Sequence, residues 1–123
     1  MQFLLVGAGG FCGAVLRYGV MRLLAAHAGT FPFATLTVNI LGSLAAGFFS
    51  TWIFQRSVFE GEWRLAVQVG LLGAFTTFST FSLETVSLVE QGHVAKAVIS
   101  VGLNLTLCLA AAALGVVLAR SLP

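Results

Sequence analysis

Three stretches of the chain stay apolar for the length of a membrane crossing: Phe3–Ala26, Phe33–Phe54 and Val94–Ala119. A spanning helix needs about 20 predominantly apolar residues, and each stretch supplies them. A fourth, Arg64–Val89, is less uniform but long enough. Short joints separate the four. His27–Pro32 carries Gly29 and Pro32 as breakers, Gln55–Trp63 holds Glu60, Gly61 and Glu62, and Gln91-Gly92-His93 forms the last turn. The pattern predicts an all-α integral membrane protein with four transmembrane helices in one domain, residues 1–123. No internal repeat is visible, so any inverted-repeat symmetry needs a second copy.

Polar positions recur inside this apolar pattern. Thr35, Asn39, Ser43 and Gly47 are four residues apart in the second helix, and Ser100, Asn104 and Cys108 repeat the step in the fourth. Residues at i and i+4 share a helix face. Such stripes have two readings. Small polar groups serve as interhelical glue in lipid, or together they line a narrow track. Gly9 and Gly13 in the first helix form a GxxxG pair suited to close helix contact. Gly7 and Gly9 begin a dinucleotide pattern but do not complete it, because Cys12 occupies its last glycine position.

The third helix is where the pattern changes. GAFTTFSTFS, Gly73 to Ser82, packs five hydroxyls and three phenylalanines into ten residues. Serine and threonine bond the local backbone and bend or loosen a membrane helix. Gly70 and Gly73 add slack, so a break is expected near Gly73 to Thr76. Irregular backbone at membrane depth is tolerated only where protein or a cavity covers it. Freed carbonyls there suit a cation. Phenyl rings have a negative face and a positive edge. Edges set among hydroxyl and amide donors make a dry, weakly positive lining for a small anion. Core packing is the plain alternative for the same rings.

Composition agrees with lipid as the solvent. Only 8% of residues are charged and 59% are hydrophobic, whereas soluble domains carry about 25% charge. With the N-terminus on side one, Arg56, Arg64 and Arg120 flank that side, and Arg17, Arg22 and Lys96 lie toward the other. The positive-inside rule needs a bias, and a three-to-three split has none. Either a few charges fix topology in a way that counting misses, or the chain inserts both ways and pairs with an inverted copy. Arg17 stands deep in the first helix, where it either snorkels or faces a wet vestibule that attracts anions. The Ala26-His27-Ala28 triplet resembles a cleavage site, but no basic segment precedes the apolar run and Arg17 and Arg22 interrupt it. Cys12 and Cys108 lack metal-ligand spacing. There is no nucleophile–base pair, phosphate loop or nucleic-acid motif.

These features resemble the Fluc/CrcB family of fluoride channels. The resemblance spans essentially the whole chain and rests on the Gly-rich first helix with Arg17, the run TLTVNILGS from Thr35 to Ser43, and above all GAFTTFSTFSLET from Gly73 to Thr85. It implies an antiparallel, dual-topology homodimer in the cell membrane with two anion pores and a third helix broken mid-membrane. It implies that Asn39, Phe78 and Phe81 line the pore, with Ser79 as further lining, and that Arg17 stands in a vestibule. It also implies a structural sodium ion at the dimer interface, held by the backbone carbonyls of Gly73 and Thr76. The helix-four track departs from the family pattern, because Ser100, Asn104 and Cys108 stand where an aromatic or polar residue is followed by hydroxyls. The implied activity is passive export of cytoplasmic fluoride, with no enzyme chemistry. The alternative is a small multidrug-type proton-coupled exporter, also a four-helix dimer. It requires a deep acidic residue in the first helix, and that helix has none.

Overall fold

A computed structural model describes residues 1–26, 29–56 and 61–122. His27 and Ala28 of the cleavage-like triplet and Glu60 of the second joint lie outside the described residues. Among those described, every ordered element is a helix. Four stretches are long and apolar enough to cross a membrane: Gln2–Ala25, Phe33–Ile53, Trp63–Glu90 and Val94–Ser121. Helices satisfy their own backbone groups, which lipid cannot do for them.

Helix α1 covers Gln2–Ala25 and α2 covers Phe33–Arg56. The Pro32 carbonyl accepts the Leu36 N–H and so opens the first turn of α2. The third crossing is composite. It starts as α3 (Trp63–Leu65), widens into π-helical turns over Ala66–Leu72, tightens again as α4 (Gly73–Phe75), and resumes as α5 (Phe78–Glu90). Between α4 and α5, Thr76 and Thr77 are extended. Gly73 itself is helical, so the irregular residues lie C-terminal to most of the expected stretch. Helix α5 stops at Gly92, whose φ of 80° is the left-handed geometry glycine adopts freely. There the Gly92 N–H donates to the Val89 carbonyl and the His93 N–H to the Leu88 carbonyl, the paired bonds of a Schellman end. Helix α6 covers Val94–Ser121.

Two backbone seams hold the helices. A methyl group on Gly9 would lie 2.1 Å from the Ala66 carbonyl oxygen, and one on Gly13 would lie 2.2 Å from that of Leu71. The GxxxG pair therefore seats α1 on the π-helical turns. Gly47 and Gly115 do the same for α2 and α6: their Cβ positions fall 2.1 Å from the Ala112 oxygen and 2.2 Å from the Leu44 oxygen. The enclosed core is thin, with Leu36, Val38, Leu72 and Leu88 among its few large side chains. Large apolar residues such as Phe3, Leu4, Phe11 and Leu23 face outward, as a lipid solvent allows.

Candidate functional site

The hydroxyls of the third crossing are mostly occupied with their own backbone. Thr76 Oγ1 donates to the Leu72 carbonyl at 3.1 Å, Ser82 Oγ to Phe78 at 2.9 Å, and Thr85 Oγ1 to Phe81 at 2.8 Å. Thr77 caps α5: its Oγ1 accepts the Thr80 N–H at 3.2 Å and pairs with Thr80 Oγ1 at 2.8 Å. Ser79 Oγ lies 3.5 Å from the same Thr77 hydroxyl. The braid is thus largely a capping device for an interrupted helix.

The polar stripes converge on that interruption. Asn39 Oδ1 accepts the Thr77 N–H at 2.9 Å, and Asn39 Nδ2 donates to the Thr77 carbonyl at 3.1 Å. The same Nδ2 donates to Asn104 Oδ1 at 3.2 Å, and Asn104 Nδ2 donates to the Ser100 carbonyl at 3.0 Å. Both N–H groups of Asn39 are therefore engaged. Four residues earlier on α2, Thr35 Oγ1 donates to Glu84 Oε1 at 2.9 Å. Glu84 Oε2 and Ser100 Oγ are buried with no partner among the described residues.

A cavity of about 670 Å³ lies between α2, the interrupted stretch and α6. Asn39, Gly73, Thr76, Phe78, Phe81, Asn104 and Cys108 all border it. The Phe78 and Phe81 rings sit 5.5 Å apart, tilted by 53°. Phe78 is 79% exposed, so this chain alone leaves one side of the ring pair uncovered. Three expected residues lie elsewhere. Ser100 is fully enclosed between helices, Ser79 is exposed beside the cap, and Arg17 is half-buried on α1, none of them on the cavity wall. Gln68 borders the cavity and was not among the expected residues. The signal available for it was the i, i+4 spacing from Arg64.

The family described as "CrcB-like protein, Camphor Resistance (CrcB)" matches residues 4–116, almost the whole chain. The chain belongs to the CrcB family. Relatives within reach are named "Fluoride-specific ion channel FluC". The one from Aeromonas salmonicida is 47% identical over 120 residues, covering 97% of this chain and 96% of its own. That from Coxiella burnetii is 44% identical over 124 residues, covering 99% and 100%. A third, from Methylococcus capsulatus, is 48% identical over 118 residues, and this chain spans about half of its length, 52%. With four crossings and this family, the CrcB-family chain is a multi-pass protein of the cell membrane.

Proposed function

We propose that the chain is a subunit of a fluoride-selective channel that lets cytoplasmic fluoride leave passively. The carrying observation is the end-to-end match to fluoride-specific ion channels, met by a cavity that places Phe78 and Phe81 beside amide and hydroxyl groups. Fluoride enters cells as a neutral weak acid and is trapped by ionisation, so an anion exit answers a physical need. Ring edges carry partial positive charge. A lining of edges and neutral donors replaces the water of a small anion without a fixed charge that would hold it. The protein is not an enzyme. Nor does α1 hold a carboxylate to couple transport to protons.

The channel in this reading is an antiparallel, dual-topology homodimer. The three-to-three split of cations supports it, as does the uncovered face of Phe78. A second copy, running the other way, closes the cavity against lipid and makes two equivalent pores. The interruption at Thr76 and Thr77 then lies at membrane depth, shielded by protein. Asn39, Phe78, Phe81, Asn104 and Cys108 line the pore in this reading, Ser79 and Ser100 support it from off the cavity wall, and Arg17 stands in the vestibule.

The interruption also fits a structural sodium ion. In an unbroken helix the Thr77 N–H would meet the Gly73 carbonyl and the Thr80 N–H the Thr76 carbonyl. Here the first donates to Asn39 and the second to Thr77 Oγ1. Two carbonyl oxygens are released by this diversion, and hard cations favour oxygen ligands. Gly73 and Thr76 of each copy would hold the ion, which would supply charge for four carbonyl dipoles facing one another.

The test is electrogenic fluoride efflux from liposomes carrying the purified protein, with no proton gradient. Fluoride should leave and chloride should be nearly excluded. Equal fluxes of the two anions, or dependence on a proton gradient, would overturn the reading.

A further inference from the structure

Within the cavity wall one side-chain amide is held in a known orientation by a cation. Arg64 Nε donates to Gln68 Oε1 at 3.1 Å. A guanidinium can only donate, so the amide oxygen must face it and the nitrogen must turn away. Gln68 Nε2 then donates to Ser50 Oγ at 3.3 Å, a contact longer than an ordinary N–H···O bond. An amide nitrogen has two hydrogens, and this uses one. Asn39, the amide expected to serve an anion, has committed both of its own to Thr77 and Asn104. Among the described residues Gln68 therefore keeps one N–H uncommitted, and its side chain borders the cavity beside the exposed charge of Arg64.

We propose that Gln68 is a hydrogen-bond station for the permeating anion at the Arg64 end of the cavity, and that Arg64 is its positioning residue. The assignment rests on the fluoride-channel reading above. The guanidinium does two things at once. It draws anions toward the mouth, and it fixes the amide so that its hydrogen, not its oxygen, meets them. Ser50 anchors the far side of the same amide. The wide π-helical turns over Ala66–Leu72 carry Gln68, so the backbone geometry that seats α1 also sets this side chain at the wall.

Gln68→Glu separates this role from a purely structural one. Glutamate keeps the shape and gives Arg64 a stronger partner, but it has no N–H and bears a negative charge. Gln68→Leu removes the donor without adding charge. Initial fluoride efflux from liposomes is measured over a range of fluoride concentrations, with dimer assembly followed by size exclusion. Gln68→Leu should lower flux at low fluoride by about tenfold, the worth of one hydrogen bond to an ion, and raise the concentration for half-maximal flux. Gln68→Glu should lower it further. Arg64→Met should slow the parent but change little in the Gln68→Leu background. Should Gln68→Glu fail to assemble, the Arg64→Met and Gln68→Leu pair decides. Parental flux through Gln68→Glu, or independent multiplying losses in the double variant, would overturn the assignment while leaving the channel reading intact. A parent protein that passes no fluoride overturns both.

Discussion

Asn39 bonds both backbone groups of Thr77: its Oδ1 accepts the N–H at 2.9 Å and its Nδ2 donates to the carbonyl at 3.1 Å. One side-chain amide thus acts as a strand partner for a single extended residue. Thr77 is only 5% exposed, so water cannot take over these bonds. The extended conformation at Thr77 is held from α2, 38 residues away in sequence.

This geometry makes Asn39 a brace before it is anything else. Asn39→Leu should strand a buried N–H and carbonyl, at about 1–3 kcal/mol for each unsatisfied group. Asn39→Asp keeps the acceptor but loses both donors and buries a charge. Both variants should lower the thermal stability of the detergent-solubilised protein and cut fluoride flux. Parental melting temperatures would show that the brace contributes nothing.

How much of this could be read from the chain follows from how far each cause reaches. The four crossings depend on local apolar length, and the limits of Val94–Ser121 and Trp63–Glu90 differ by only a residue or two from those expected. The face shared by Thr35 and Asn39 is local periodicity, and so is that of Ser100 and Asn104. The interruption is different. Gly70 and Gly73 suggested slack at their own positions, yet Gly70 is spent on contact with α1, where its Cβ would fall 2.6 Å from the Val6 oxygen. The extended residues are chosen by a long-range amide. The π-helical turns and the orientation of Gln68 likewise arise from contacts between helices, which no single-helix pattern records.

The ring pair can be tested by shape. Phe78→Ile and Phe81→Ile keep apolar bulk but remove the positive ring edge. Each should reduce fluoride flux by about tenfold or more, in line with an ion-contacting group, while dimers still assemble. If both conduct like the parent, the rings only fill space.

Orientation is open to direct labelling. With the C-terminus tagged, protease or antibody access should be found from both faces of the cell membrane in comparable amounts. Adding two lysines beside Arg120 should shift the ratio toward one face and reduce function, because an oriented population lacks inverted partners. Access from one face alone in the parent would exclude dual topology.

The helix seams predict a sharp contrast among glycines of one helix. Gly13→Ala puts a methyl 2.2 Å from the Leu71 oxygen, whereas the same change at Gly7 meets nothing within 4 Å. Overpacking of a fitted contact costs about 1–3 kcal/mol. Gly13→Ala should therefore lower stability or yield, and Gly7→Ala should be neutral. Equal behaviour of the two would mean that α1 does not sit on the π-helical turns.

Gly73 tests the sodium site and the dimer together. A Cβ there would meet only the Gln68 carbonyl oxygen, at 3.8 Å, an ordinary contact. Nothing among the described residues therefore requires glycine at this position. Its helical backbone does not require it either. In the proposed channel a requirement for glycine would come from the inverted copy and the ion between the two. The released carbonyls of Gly73 and Thr76 are costly in lipid unless partnered, by several kcal/mol each. In that proposal two copies meeting across an axis would turn four such oxygens into a cage, and a side chain at Gly73 would hold the copies apart. Gly73→Val should accordingly leave the helical content of the chain intact, as read by circular dichroism, while dimerisation and fluoride flux fall. Replacing sodium by a large organic cation during assembly should mimic the substitution in the parent and add nothing in the variant. Full flux from protein assembled without small cations would remove the ion from the reading, and a Gly73→Val protein that dimerises normally would remove the axis from this position.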